Sequence, residues 1–125
     1  MIYETAKEWE LVREAMLPAI AQTEGTHTED DILAGILTGK FKLWRRGSSG
    51  LITEHVQFPQ MKTLNAFITG GDLHELLPLQ EPVQNFAAAT GCKRMTALFT
   101  HGEKGWERAL GNGTKRGGVF VYKDL

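Results

Sequence analysis

The stretch Asn65-Ala66-Phe67-Ile68-Thr69-Gly70-Gly71-Asp72-Leu73-His74-Glu75-Leu76-Leu77 constrains the fold more than any other part of the chain. It reads as the end of a buried strand, a two-glycine turn and a capped helix. Phe67 and Ile68 are good formers of a pleated, buried surface. Gly70 and Gly71 let the chain take positive φ without a Cβ penalty. Asp72 can accept the free amide protons of the first helical turn. Glu75, three residues on, can reach back to it, which is a capping box with Asp in the usual Ser/Thr place. Leu73, Leu76, Leu77, Val83, Phe86 and Ala87 recur at helical spacing, so one face of this helix packs on a sheet. Such a junction is also where α/β proteins hold phosphates, on the amides and dipole of the helix N-terminus. The capped turn is the better reading. A glycine pair is a weak motif, and Asp72 puts negative charge where an anion would sit.

The rest of the chain supplies elements in a clear order. From Glu4 to Gln22 the pattern is helical, with Trp9, Val12, Met16 and Ile20 as the stripe and Leu11, Ala15 and Ala19 widening it. Pro18 is expected to kink or split this helix near Leu17. Thr28 looks like the N-cap of a second helix, with Glu29, Asp30 and Asp31 in its first turn and Gly39 as its stop. Phe41 to Trp44 and Leu51 to Phe58 read as a hairpin around Gly47-Ser48-Ser49-Gly50, and Thr63 to Thr69 as a third strand. The helix after Asp72 is expected to break at Pro78 and restart near Pro82, a first-turn position that suits proline. Lys93 to Thr100 reads as a fourth strand, Glu103 to Leu110 as a short helix with Trp106 inward, and Val119 to Tyr122 as the last strand.

The order α-α-β-β-β-α-β-α-β predicts an α+β (α/β) fold: a mixed, mainly antiparallel sheet with helices packed on it. A length of 125 residues suits one domain, so residues 1–125 are read as a single unit. No run approaches the ~20 apolar residues that span a bilayer, so no membrane partner is expected. The start Met1 to Glu8 has neither a basic head nor an apolar core, so no signal peptide is expected. Cys92 is the only cysteine and cannot close an internal disulfide, which suits a reducing compartment.

With these elements in place, the chain resembles the GNAT (N-acetyltransferase-like) superfamily without its first strand, over nearly its whole length. Phe41-Lys42-Leu43-Trp44, Ile52-Thr53-Glu54, Ile68-Thr69-Gly70-Gly71-Asp72-Leu73, Gly91-Cys92-Lys93-Arg94 and Gly105-Trp106-Glu107-Arg108 are, more narrowly, similar to short GNAT-like proteins encoded among the virion structural genes of tailed bacteriophages. In the superfamily's enzymes, a Gln/Arg-x-x-Gly-x-Gly/Ala loop before the long helix holds the diphosphate of acetyl-coenzyme A. Here Thr69, Gly70, Gly71, Asp72 and Leu73 take that place, without the basic residue or the Gly-x-Gly spacing. The resemblance therefore implies a noncatalytic phage protein with no cofactor, located in the virion or the host cytoplasm. It would act as a virion component or assembly factor by binding other phage structural proteins or copies of itself. The alternative it implies is an N-acetyltransferase using acetyl-CoA, with Glu54 as base and Tyr122 as the acid toward the leaving thiolate.

The remaining candidates are surfaces. Lys40, Lys42, Arg45 and Arg46 surround Trp44 in the densest basic cluster. A basic hairpin with an interleaved aromatic can bind nucleic acid, which gives a third reading. A solvated strand edge that resists aggregation is the plainer account. Residues 1–31 hold eight acidic side chains against Lys7 and Arg13, a balance of −6, and residues 32–125 balance at +5. Opposite charge on separate elements suits docking between subunits, with Trp9 or Trp44 as the apolar anchor. The competing account is that helix and hairpin neutralise each other within one monomer. His27, His55, His74 and His101 show no metal-ligand spacing.

Overall fold

The computed structural model describes residues 2–98, 108–111 and 113–125. Helices α1 (Ile2–Ala21) and α2 (Glu29–Thr38) come first, then strands β1 (Phe41–Arg46), β2 (Ser49–Gln57) and β3 (Lys62–Gly70). Helix α3 (Leu73–Leu76), a 3₁₀ turn (Leu77–Leu79) and helix α4 (Gln80–Ala89) lead to strand β4 (Arg94–Ala97). The sheet runs β1-β2-β3-β4. Its first three strands form an antiparallel meander, and β4 lies parallel to β3. A parallel neighbour requires a crossover, which α3 and α4 provide. The α+β class and the mainly antiparallel, mixed sheet are as the sequence pattern predicts.

Each face of the sheet has its own core, because successive strand residues point to opposite sides. Ile52 joins Trp9, Val12, Met16, Ile20, Ile32, Phe41 and Ile68 under α1 and α2. Its neighbour Leu51 joins Leu64, Leu76, Leu79, Val83 and Ala87 under α3 and α4. The strict alternation breaks once. Ile52 pairs with Ile68 and Thr53 with Ala66, leaving Phe67 as the extra residue of a bulge. Phe67 and Ile68 thus both pack on the α1/α2 side.

The predicted α1 stripe is buried as expected, although Leu11 is exposed. α2 starts in a capping box in which Thr28 Oγ1 accepts from the Asp31 amide and Asp31 accepts from the Thr28 amide. The hydrogen bonds to Thr28 hold the Asp31 carboxyl below the usual range. Gly35, buried in α2, lies on the Phe41 ring, which leaves no room for a Cβ there.

Four expectations need correction. α1 is not split at Pro18 but continues to Ala21. Pro18 breaks only the bond to residue 14, whose exposure lets water take the freed carbonyl. Ser49 and Gly50 belong to β2, so the hairpin turn is Gly47-Ser48 alone. β4 ends at Ala97; residues 99 and 100 of the expected strand lie outside the described residues. Val119 to Tyr122 is not a strand: these residues are exposed and unpaired in the described structure. Most of the expected helix Glu103–Leu110, with Trp106, also lies outside the described residues.

Candidate functional site

The β3–α3 junction forms the predicted turn, with one unexpected participant. Asp72 caps α3, its Oδ1 accepting from the His74 amide at 2.8 Å. Glu75 does not reach back to Asp72 directly. Ser49, from the start of β2, stands between them: its Oγ accepts from the Asp72 amide at 2.8 Å and donates to Glu75 Oε1 at 2.7 Å. The capping box is thereby relayed through a hydroxyl from another strand. The second Glu75 oxygen lies over Gly47, where a Cβ would collide with it.

The two glycines serve this packing. A Cβ on Gly70 would strike the Ala15 carbonyl of α1, and one on Gly71, at φ +115°, would strike Ser49. At Gly70 and Gly71 the turn makes close approaches of protein to protein. Two carboxylates, Asp72 and Glu75, and the Ser49 hydroxyl fill the space in front of α3. An anion there would meet like charge and occupied donors.

Beside this turn lies a cavity of about 380 Å³, lined by Ala19, His27, Glu54, Phe67, Thr69, Gly71, Leu98 and Phe120 among others. It gathers two groups of sequence candidates, Glu54 and the Thr69–Gly71 end of the loop. Glu54 is half-buried in β2. Tyr122 stays outside this lining. Its hydroxyl donates to Glu24 Oε2 at 3.2 Å, and that bond raises the phenol pKa above its ordinary value. As a proton donor, Tyr122 is thus directed at the α1–α2 loop and not at the cavity.

The basic hairpin and the acidic helix meet within the monomer. Arg45 Nε donates to Glu8 Oε2 at 2.6 Å, and Arg45 Nη1 donates to the Gly47 carbonyl at 2.8 Å. Lys42 Nζ stands 4.9 Å from the Trp44 ring centre and 5.2 Å from that of Phe86, and Lys40 stands 5.3 Å from that of Phe41. Trp44 is half-buried, edge-on to Phe86, with its Nε1 donating to Thr53 Oγ1 at 2.9 Å. A shallow groove of about 520 Å³ along β1 is lined by Glu4, Glu8, Lys40 and Lys42, with His55 and Phe86 at its far side. Packing against Phe86, together with the charge of Lys62, holds the His55 pKa below its usual value. Arg46 is exposed beyond this set.

Trp9 is a core residue and not a surface anchor, since only 2% of it is exposed. Its indole donates to Glu29 Oε1 at 2.8 Å, and Arg13 grips both oxygens of the same carboxylate at 2.6 and 3.1 Å. These donors, Arg13 first, hold the Glu29 pKa below the usual range. One carboxylate thus joins α1 to α2.

Sequence reasoning missed Ser49, His27 and Phe120. Ser49 looks like a turn residue because its role depends on the distant Asp72 and Glu75. His27, whose ring lies 5.3 Å from that of Phe67, reaches the cavity only because α1 and α2 fold over β3. Phe120 reads as a strand residue, and only its docking reveals it as a cavity wall. Among the described residues, no cluster of His, Cys, Asp or Glu could hold a metal ion, and no helix is long and apolar enough to cross a membrane.

No protein-family model matches this chain, and no curated protein matches it significantly. Among solved structures, it is similar to TTHA1254 from Thermus thermophilus. The I68M mutant of that protein superposes with a TM-score of 0.62 at 17% identity, over 93% of this chain and 91% of that one. The wild type gives 0.56 at 18% identity, over 93% and 90%. At this identity the likeness concerns architecture alone: the chain shares an α+β fold with TTHA1254 across nearly its whole length.

Proposed function

We propose that this chain is a noncatalytic GNAT-like phage protein that works by contact, as a virion component or assembly factor. The helix pair, the antiparallel meander and the helical crossover to a parallel fourth strand agree with the GNAT order up to β4. The phage relation rests on the short sequence matches given above. The observation that carries the noncatalytic part is the filled N-terminus of α3. Asp72, Ser49 and Glu75 occupy the place where the superfamily's enzymes hold a diphosphate. Calorimetric titration with acetyl-CoA at low salt is expected to show no saturation in the micromolar range. Clear saturation there would return the chain to the enzymes.

One observation favours the acetyltransferase alternative, namely the cavity that Glu54 lines together with Thr69 and Gly71. On that reading Glu54 is the base, and Glu54→Gln abolishes acetyl transfer to amine acceptors while leaving the fold intact. The nucleic-acid reading loses support from the hairpin. Lys42 lies over both aromatic rings that a base would stack on, and Arg45 is paired with Glu8. Affinity for DNA at physiological salt is expected to stay at the nonspecific level of about 10⁻⁴–10⁻⁶ M. Submicromolar binding lost in an Arg45→Ala/Arg46→Ala variant would reverse that conclusion.

A further inference from the structure

The C-terminal segment is a strand in composition that finds no strand partner among the described residues. Val119, Phe120, Val121 and Tyr122 are all β-branched or aromatic, the types most favoured in sheets. Phe120 and Tyr122, two residues apart, bring their rings to 5.9 Å, so they share one side of the segment as in an extended strand. That side leans on the body, Phe120 at the cavity and Tyr122 on Glu24. The other side is bare, with Val119 80% and Val121 83% exposed. Among the described residues, no backbone hydrogen bond joins Val119–Tyr122 to anything else.

The sheet has two edges, and among the described residues only the β1 edge is guarded. β1 carries Lys42, Arg45 and Arg46, with Lys40 just before it. Charges of this kind block the addition of another strand. β4 has Arg94 at its start and then Met95, Thr96 and Ala97, followed by Leu98; both Met95 and Leu98 are exposed. No described residue pairs with its outer side.

We infer that Val119–Tyr122 adds antiparallel to the outer edge of β4 in a second copy of this chain, and that two copies exchange tails about a two-fold axis. The inference deepens the contact reading above by naming the partner. Three features select this arrangement. With Val121 opposite Ala97 of the partner subunit, Asp124 falls opposite Arg94 of the partner subunit. A parallel tail would instead bring Lys115 and Arg116 toward that basic end. In the same register Phe120 lies against Leu98 of the partner subunit, the residue with which it already shares a cavity in its own chain. Exchange therefore repeats between copies a neighbourhood the fold already makes, which is how swapped dimers form readily. Finally, Val121 comes to rest opposite Ala97 of the partner subunit and diagonal to the exposed Met95 of the partner subunit, and apolar surface on both copies is covered together.

The test uses the full chain. Sedimentation velocity from micromolar to millimolar protein is expected to show a concentration-dependent shift to twice the monomer mass. Val121→Lys should abolish the shift with an unchanged circular dichroism spectrum, because Val121 is 83% exposed in the monomer. A second measurement fixes the contact. Two proteins are mixed under mild oxidation, one Cys92→Ser/Ala97→Cys and the other Cys92→Ser/Val121→Cys. A disulfide-linked heterodimer is expected. A monomer at every concentration, or a dimer that survives Val121→Lys and yields no mixed disulfide, overturns the inference. So does a chain carrying both new cysteines that closes its disulfide internally with no dimer present. None of these outcomes bears on acetyl-CoA binding, so the contact reading stands or falls separately by titration.

Discussion

The N-terminal body and the C-terminal segment invert what their compositions suggest. The body, α1 with α2 and the β1–β2 hairpin, carries the strong charges, and two of its carboxylates are turned on arginines of the same body. Glu8 holds Arg45, and Glu29 holds Arg13 and the Trp9 indole. The C-terminal segment carries the residues of a core strand, and they lie open. A charge imbalance along a sequence therefore says little about docking until the fold shows which charges face each other. An unpaired run of strand-forming residues says more, because burial of apolar area is the larger driving term in association.

The sharpest way to break this contrast is to truncate one buried and one bare side chain. Ile52→Ala removes a fully buried residue at the centre of the sheet and should destabilise by about 2–5 kcal/mol. Val121→Ala should stay within about 0.5 kcal/mol in dilute protein. Urea denaturation measures both, and comparable losses would show that the segment is part of the core.

A smaller effect is expected from added volume. Gly70→Ala forces a Cβ against the α1 backbone, which cannot yield as a side chain can, and should cost about 1–3 kcal/mol. Gly118→Ala, with open space around it, is the matching control near the C-terminus and should be neutral. If Gly70→Ala melts like the native protein, the close packing of the turn on α1 is wrong.

The two regions should also respond to opposite ends of the pH scale. Glu29 titrates lower in the fold than in the unfolded chain. Its stabilising effect is present above the ordinary carboxylate range and disappears as pH falls through the depressed folded value. Tyr122 titrates higher in the fold. Its contact with Glu24 is present below the ordinary phenol range and disappears as pH rises through the raised folded value. The Trp9 indole resonance should therefore shift on acidification, and the Tyr122 ring resonances on strong alkalinisation. A Trp9 signal indifferent to acid would remove the Glu29 link.

The smallest effect belongs to the Glu8–Arg45 pair. Both side chains are partly solvated, so a double-mutant cycle with Ala should give about 0.2–1 kcal/mol, falling as salt rises. A coupling that persists in molar salt would mean that the pair is better shielded than its exposure indicates.

Much of the architecture follows from local rules acting on neighbouring residues. The stripe Trp9, Val12, Met16 and Ile20 determines which side of α1 is buried. Thr28 and Asp31 determine where α2 begins, and Pro78 and Pro82 break the crossover into α3, a 3₁₀ turn and α4. Each depends on spacing within a few residues, and spacing is what a sequence displays. The tertiary structure alone decided the rest. Ser49 enters the α3 cap from a strand 23 residues away. Glu54 comes to line one cavity with Thr69 and Gly71 because β2 and β3 pair along their length. The Trp9 indole finds its acceptor only because α2 folds against α1 and supplies Glu29. The strand propensity of Val119–Tyr122 finds no sheet among the described residues, because a strand is completed by a neighbour's backbone, which its own residues cannot provide.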